Sequence, residues 1–254
     1  MKVISSTFAM QSLAESLRMG GKKIGFVPTM GFLHEGHLSL MRRARKECDV
    51  VIVSIFVNPT QFGPNEDYDH YPRDAEGDRK KCESAGIDIL FVPSAAEMYQ
   101  EKTPVFINVE RISDILEGTM RPGHFRAVAT VVAKLFHIVK PHRAYFGQKD
   151  YQQCVVIKYM VKGLNMDVEI VVLPTVREPD GLAMSSRNIY LSADERRAAV
   201  SIARALSTAL ELIKAGVCDV EKIKNKTLAV LREEKSMTVD YVEIADPDTL
   251  EPLS

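Results

Sequence analysis

The fold is decided by the stretch Pro28-Thr29-Met30-Gly31-Phe32-Leu33-His34-Glu35-Gly36-His37. It follows the short apolar segment Ile24–Val27 and leads into a segment with helical character, from about Gly36 to Glu47. A buried strand, a turn containing glycine and a helix, in that order, form the first half of a βαβ unit. The stretch therefore predicts a parallel sheet, with this loop at the carboxyl end of one of its strands.

Strands and helices alternate along the rest of the first 175 residues. Four more apolar runs, rich in Val and Ile, are predicted to be buried strands: Val50–Val57, Ile87–Val92, Ala144–Phe146 and Val168–Leu173. Helical periodicity predicts one helix that ends at Gly20-Gly21 and another that ends before Pro141. The alternation predicts an α/β fold with a Rossmann-like parallel sheet flanked by helices, where ligands bind beyond the carboxyl ends of the strands.

The pattern changes after residues 174–179, which begin and end with proline. A long helix is expected from Ser192 onward, with four apolar residues on one face: Ile202, Leu206, Leu210 and Ile213. A second helix is expected over Val220–Glu233, and a strand over Tyr241–Ala245, followed by the turn Asp246-Pro247-Asp248. The sequence thus predicts two domains, 1–177 and a smaller α+β domain, 178–254.

Composition excludes several classes of protein. The chain has 254 residues, of which 46% are hydrophobic and 26% charged, as is typical of a folded globular protein. Its net charge of −1 gives no basic excess for binding nucleic acid. No apolar run approaches the roughly 20 residues that cross a bilayer, and no signal peptide is recognised. The cysteines lack metal-site and disulfide spacing, which favours a reduced, cytoplasmic protein: Cys48, Cys82, Cys154 and Cys218.

The loop that decides the fold also carries the chemistry most suggestive of a ligand. His34 and His37 are three residues apart at the start of a helix, where unpaired N–H groups and the helix dipole attract phosphate. Gly31 and Gly36 allow the backbone to approach a ligand closely. A zinc-protease helix would need its histidines four apart, so zinc is disfavoured. The plainer alternative is a capped turn that carries two surface histidines.

Two further loops follow predicted strands. In Asn58-Pro59-Thr60-Gln61, the Gln61 amide can donate and accept hydrogen bonds, which suits a substrate with hydroxyl and carboxylate groups; Asn58-Pro59 is also ordinary turn chemistry. In Gly147–Gln153, Lys149 can neutralise phosphate and Gln153 can face the pocket, although Lys149 is equally typical of a surface.

Two other polar segments remain open to two interpretations. In Gly181–Asn188, two hydroxyls and the Arg187 guanidinium can surround a triphosphate, or the segment is a hydrophilic interdomain linker. The segment Arg121-Pro122-Gly123-His124-Phe125-Arg126 can contact an anionic substrate, or it merely caps the following helix.

Taken together, these motifs resemble one family. The His-x-Gly-His (HIGH) signature is similar to that of nucleotidylyltransferases and class I aminoacyl-tRNA synthetases. Together with the Asn58, Arg121, Gly147 and Met184 segments, in the same order, it closely resembles the pantothenate synthetases (pantoate–β-alanine ligases), over nearly the whole chain. The resemblance implies that ATP activates (R)-pantoate as pantoyl adenylate, releasing pyrophosphate, and that β-alanine then displaces AMP to give pantothenate.

The resemblance also implies roles for individual residues. His37, as proton donor, His34 and Lys149 would be catalytic, while Gln61, Gln153 and Asn58 would hold pantoate and β-alanine. The positions that match ATP contacts are Met30, Gly31, Phe32, Leu33, His34, Glu35, Gly36, His37, Gly147, Gln148, Lys149, Asp150, Val176, Met184, Ser185, Ser186 and Arg187. Mg²⁺ would travel on the phosphates with few protein ligands; Asp78 is one candidate, and the ligand set stays unassigned.

Some features depart from the family pattern. Ala127 stands where glycine is expected, and the lysine pair usual in the mobile phosphate loop of synthetases is absent. The smaller domain is expected to be short at its C-terminus, because the family usually continues with another strand. The resemblance further implies a homodimer formed through the nucleotide-binding domain. The alternatives are another nucleotidylyltransferase of the same signature and a non-catalytic nucleotide-binding regulator.

Overall fold

The computed structural model describes residues 1–99 and 105–253. The chain divides into two compact units, Met1–Thr175 and Val176–Ser254. None of the helices in the described parts of the chain combines the length and apolar character that a bilayer crossing requires.

A parallel sheet forms the centre of the first unit. Within the described residues it has six strands, which are β1 (Lys2–Ile4), β2 (Ile24–Thr29), β3 (Val50–Ile55), β4 (Ile89–Phe91), β5 (Arg143–Gly147) and β6 (Glu169–Leu173). Their order across the sheet is β1-β4-β3-β2-β5-β6, and every neighbouring pair is parallel. The predicted parallel α/β fold is therefore confirmed. The edge strand β1 was not predicted from the sequence.

The strand order places a switch point between β2 and β5. From β2 the chain crosses to β3 on one side, whereas β5 pairs with β2 on the other side, through Gly25–Arg143 and Phe26–Ala144. At such a point the loops after the two central strands diverge and leave a crevice beyond their carboxyl ends. The loops after β2 and β5 are the ones that carry His34, His37 and Lys149.

Helices connect the strands of the first unit. They are α1 (Thr7–Met19), α2 (Glu35–Glu47), α3 (Ala75–Ser84), α4 (Ala95–Met98), α5 (Glu117–Met120), α6 (His124–Val139) and α7 (Tyr151–Gly163). α2 packs against β2, β3 and β5, and α1 and α6 pack against each other and against β2. The buried side chains between α2 and the sheet include Leu40, Met41, Val51, Val53 and Tyr145.

Local capping explains where several helices begin and end. Ser6 accepts from the N–H of Ala9 at the start of α1, and Gly20 ends that helix as predicted. α6 begins after Gly123, which has φ +82° and no side-chain cap, and ends one residue before Lys140, which is followed by Pro141. The segment 121–126 thus supplies the N-cap residue of α6, through the backbone of Gly123 and not through a side chain.

The second unit contains α8 (Ala193–Lys214) and α9 (Val220–Arg232), which pack together. Ser192 and Glu195 form a capping box at the start of α8, as the predicted start at Ser192 requires. The buried residues of α8 are small: Ala198, Ser201 and Ala205. The four apolar residues predicted to share one face of this helix all lie on α8, and that face is about half exposed: Ile202, Leu206, Leu210 and Ile213.

The predicted strand Tyr241–Ala245 is not formed. Among the described residues of this segment, antiparallel pairing is limited to one bridge, between Ala245 and Pro252. A strand requires a hydrogen-bonded neighbour along its length, and the described residues pair with this segment at that bridge alone. The turn itself is formed, because the Asp246 carboxylate accepts from the N–H groups of Asp248 and Thr249.

Candidate active site

The loop after β2 makes a sharp left-handed turn. Gly31 has φ +86° and Phe32 has φ +50°, so two consecutive residues occupy a region that side chains other than glycine disfavour. A Cβ on Gly31 would lie only 3.0 Å from Cγ2 of Ile55. Glycine is therefore required at position 31 for both the backbone angle and the available space. The turn brings the chain to His34, which is the N-cap of α2.

The two imidazoles complete the first turn of α2. Nδ1 of His34 accepts from the N–H of Gly36 at 3.1 Å, and Nδ1 of His37 accepts from the N–H of His34 at 3.2 Å. Their ring centroids are 4.1 Å apart. Because each Nδ1 is an acceptor, the proton of each neutral ring is carried on Nε2. The loop thus holds both rings in the tautomer that donates from Nε2.

His37 is neutral at physiological pH. Burial, and next the positive electrostatic influence of His34, Lys149 and Lys81, lower the pKa of His37 to about 3. The ring can therefore donate a hydrogen bond without carrying a charge in the ligand-free protein. Lys149, from the loop after β5, and Lys81, from α3, are close enough to His37 to contribute electrostatically to this lowering of its pKa.

The loop after β5 forms a short 3-10 turn, Gln148–Asp150, before α7. Nζ of Lys149 lies 2.7 Å from a carboxylate oxygen of Asp150, and both side chains are well exposed. Gln153 is half-buried on the first turn of α7. Its neighbour Gln152, which was not predicted, donates to the carbonyls of Ile112 and Ile115 and so holds the segment that precedes α5.

The loop after β3 fixes Gln61 from two sides. Nδ2 of Asn58 donates to Oε1 of Gln61 at 3.1 Å, and Nε2 of Gln61 lies 3.2 Å from the sulfur of Met30. Asn58 is only 1% exposed, and its Oδ1 accepts from the hydroxyls of Thr60 and Tyr99. Gln61 therefore faces the β2 loop. Asn58 is positioned to orient Gln61, because its amide is already engaged within the protein.

The segment before α6 is linked to the same loop. Nδ1 of His124 lies 2.9 Å from the carbonyl oxygen of Gln61, and the Arg121 guanidinium makes a two-point ion pair with Glu66. Nε2 of His124 is 3.2 Å from Arg121. Burial lowers the pKa of His124. Glu66 was missed in the sequence, since no local pattern links it to a residue 55 positions away.

Asp78 does not have the environment of a metal ligand. Its carboxylate is 1% exposed, and its two oxygens accept from the N–H groups of Phe32 and Leu33 at 2.7 Å each. In the described ranges there is no group of three His, Cys, Asp or Glu side chains arranged to hold an ion.

The remaining predicted nucleotide contacts belong to the second unit. The N–H of Met184 donates to the carbonyl of Val176 at 3.0 Å, which folds residues 176–184 back on themselves. Ser185 caps the 3-10 turn Ser186–Tyr190 by accepting from the N–H of Arg187. Ser186 is buried, and the Asn188 amide donates to Glu178. This loop is therefore an ordered element of its unit.

Comparison with known proteins assigns the family. The model of the family "Pantoate-beta-alanine ligase" matches residues 2–254. The chain belongs to the pantoate–β-alanine ligase family. The resemblance inferred from the motifs is thus confirmed for the family and the fold.

Individual pantothenate synthetases support the same assignment. That of Thermotoga petrophila is 57% identical over 253 residues, covering 100% of this chain and 90% of the relative. That of Acetivibrio thermocellus is 55% identical over 251 residues, covering 99% and 89%.

Solved structures of the pantoate–β-alanine ligase family have the same fold. The pantothenate synthetase of Thermus thermophilus has a TM-score of 0.95 at 47% identity, covering 100% of this chain and 90% of that one. The pantoate–β-alanine ligase of Francisella tularensis, described as complexed with β,γ ATP and β-alanine, has a TM-score of 0.79 at 42% identity, covering 91% and 86%.

Proposed function

We propose that this chain condenses (R)-pantoate with β-alanine in an ATP-dependent reaction that passes through pantoyl adenylate and releases pyrophosphate and AMP. The observation that carries the proposal is the imidazole pair at the first turn of α2, which lies at the switch point of the sheet. Lys149 contributes to the electrostatic environment of this pair, and the chain belongs to the pantoate–β-alanine ligase family. The ligands named for the related Francisella tularensis structure, β,γ ATP and β-alanine, agree with this reaction.

In the first step the pantoate carboxylate attacks the α-phosphorus of ATP and pyrophosphate leaves. Negative charge then develops on the bridging oxygen of the leaving group. Fixed donors at that oxygen stabilise the transition state more than the ground state. We assign this role to the Nε2–H groups of His34 and His37 and to the N-terminus of α2, with Lys149 neutralising phosphate charge. His37 would act as a neutral hydrogen-bond donor until the triphosphate raises its pKa.

The acid substrate is proposed to bind at Gln61. The Gln61 amide can donate to a carboxylate and accept from a hydroxyl, and Asn58 holds its orientation. Gln153, on the first turn of α7, would supply a second amide. In the second step the β-alanine amine attacks the acyl carbon, and AMP leaves with the bonding electrons of the acyl–oxygen bond.

Residues 30–37 and 147–150, together with Val176 and Met184–Arg187, are proposed to contact ATP, because they match the family's ATP-contacting positions. Mg²⁺ is proposed to arrive bound to the ATP phosphates and water, because no dedicated set of protein ligands is present among the described residues. No reaction step is assigned to it.

We further propose a cytoplasmic homodimer formed through the nucleotide-binding domain. All four cysteines are in the described part of the chain and are free, which suits a reducing compartment. Val105 and Phe106 are apolar and largely exposed on this domain, which suits an interface. Light scattering coupled to size-exclusion chromatography would measure the mass; a monomeric mass at micromolar concentration would contradict the dimer.

The proposed function is tested by pyrophosphate–ATP exchange with pantoate present and β-alanine absent. Exchange that depends on pantoate is the expected result. Exchange supported only by a different acid would indicate another nucleotidylyltransferase. ATP binding without exchange by a folded protein would contradict the adenylation step and favour a regulator.

A further inference from the structure

Beside the candidate active site lies a carboxylate that the proposed reaction does not use. Asp78 is on α3, outside the predicted nucleotide and substrate motifs, and it is almost fully buried. A buried carboxylate is costly unless its charge is compensated by hydrogen bonds or a cation. Here burial raises the pKa of Asp78, while the N–H groups of Leu33 and Phe32 oppose that rise. Burial of this carboxylate therefore disfavours its charged form, and the hydrogen bonds that it accepts compensate for that burial.

The two oxygens of Asp78 hold the least favourable part of the β2 loop. One accepts from the N–H of Phe32 and the other from the N–H of Leu33, both at 2.7 Å. Phe32 has φ +50°, a left-handed conformation that is unfavourable for a non-glycine residue and therefore has to be held by its surroundings.

The same helix contacts the other side of this peptide. Lys81, one turn along α3, donates from Nζ to the carbonyl oxygen of Leu33 at 2.7 Å. Both the N–H and the carbonyl of Leu33 are thus held by one face of α3. We name these three hydrogen bonds, which join Asp78 and Lys81 to residues 32–33, the α3 clamp.

The clamped residues lead directly into the imidazole pair. Leu33 precedes His34, whose N–H fixes Nδ1 of His37 and whose own Nδ1 caps Gly36. A shift of the Leu33 peptide would move the His34 backbone, and with it the orientation of both rings. The position of the Nε2 donors therefore depends on a helix that carries no residue of the predicted ATP or substrate motifs.

We propose that Asp78 is a positioning residue for the adenylation site: with Lys81, it holds the left-handed turn at Phe32 and Leu33 that presents His34 and His37. The kinetic part of this inference rests on the proposed function, whereas the structural part does not. Misplacement of a reacting geometry by about 1 Å can lower a rate by about 10²-fold.

The test compares Asp78→Asn with Asp74→Ala. Asn has nearly the same size as Asp, but its NH₂ group cannot accept from a backbone N–H, so the clamp loses one bond. Asp74→Ala instead removes the N-cap of α3, which accepts from the N–H of Gly77, and leaves residues 32–33 untouched. It controls for general loosening of the helix.

The first readout is the ¹⁵N spectrum of the imidazole nitrogens in ligand-free protein, which needs no activity. We expect the His34 and His37 signals to shift or broaden in Asp78→Asn and to stay in place in Asp74→Ala. The second readout is pyrophosphate–ATP exchange, where Asp78→Asn should lower kcat by about 10-fold or more and leave the KM for pantoate unchanged.

Unchanged imidazole signals and unchanged exchange in a folded Asp78→Asn protein would overturn the proposal, as would equal changes in Asp74→Ala. If Asp78→Asn does not fold, Lys81→Met, which cannot donate to the Leu33 carbonyl, tests the clamp from the carbonyl side. It should move the same signals, and its failure to do so would also overturn the proposal. If the wild type itself shows no exchange, the proposed function fails, while the spectra still decide the role of Asp78.

Discussion

The backbone N–H of His34 donates to Nδ1 of His37 at 3.2 Å, so one histidine fixes the tautomer of the other. The relationship is a capping box in which imidazole nitrogens replace the usual hydroxyl and carboxylate oxygens. It makes the same atoms responsible for starting α2 and for orienting the Nε2 donors. A substitution at either histidine is therefore expected to affect both the start of α2 and the orientation of the Nε2 donors.

Removal of the His37 ring should impair catalysis more than folding. His37→Ala is expected to lower pyrophosphate–ATP exchange by about 10²-fold or more, the usual scale for losing one fixed donor to a developing oxyanion. His37→Gln should retain more exchange, because its amide can still donate at about the reach of Nε2. His137→Ala, an exposed histidine on α6, is the control and should exchange at the wild-type rate. Near-normal exchange in His37→Ala would remove His37 from the mechanism.

Protonation of His37 should be absent over the physiological range. With a pKa of about 3, the ring stays neutral from pH 8 down to pH 5 in the ligand-free protein. A ¹⁵N titration should therefore show His37 as the Nε2–H tautomer throughout this range. A titration midpoint between pH 6 and 7 for the His37 ring would contradict the buried, positively charged environment that lowers its pKa.

The same lowered pKa has a consequence for stability. Between pH 6.5 and 3 the unfolded chain binds a proton at His37 that the folded protein does not, so the free energy of unfolding decreases as the pH falls. The contribution is fully present above pH 6.5, and up to about 2 kcal/mol of it is lost between pH 7 and pH 5. Urea unfolding should show a smaller loss in His37→Gln than in the wild type. Equal losses in both proteins would show that His37 is not responsible.

Substitution of Gln61 should weaken binding of the acid substrate and leave binding of the nucleotide unchanged. Gln61→Ala is expected to raise the KM for pantoate by about 10-fold or more, since it removes a paired donor and acceptor. The KM for ATP should stay within about twofold. Thr60→Val is a matched control in the adjacent position: it loses the hydroxyl that donates to Asn58 and leaves Gln61 in place. A change in the KM for ATP alone would place Gln61 in the nucleotide site instead.

On β5, Tyr145 should contribute to stability without affecting catalysis. Its side chain is completely buried, and its hydroxyl donates to the Glu47 carboxylate at 2.9 Å. Tyr145→Phe should lower the free energy of unfolding by about 1.5 kcal/mol, the scale of a hydrogen bond to a charged group, with exchange unchanged. Tyr159→Phe, at an exposed tyrosine on α7, should change neither quantity. A stability loss of the same size in Tyr159→Phe would contradict the role given to the buried hydroxyl.

Local signals in the sequence predicted the parts of the fold that depend on near neighbours. Ser192 and Glu195 are three residues apart and form the expected capping box, and Gly20 ends α1 where the periodicity stops. The predicted strand Tyr241–Ala245 was wrong, because a strand depends on a distant partner that its own residues do not reveal. On α8, periodicity identified the apolar residues that share a face, but it did not reveal that this face stays about half exposed while Ala198, Ser201 and Ala205 are buried.

The sequence by itself determined the alternation of strands and helices, the loops that follow β2, β3 and β5, and the family, because each depends on the types and spacing of residues close together in the chain. Only the tertiary structure decided what holds those loops. Asp78 reaches residues 32 and 33 from 46 and 45 positions away, and Glu66 pairs with Arg121 across 55. Such contacts form because parallel strands bring the carboxyl ends of distant segments to one edge of the sheet, where buried charges require partners that no local pattern specifies.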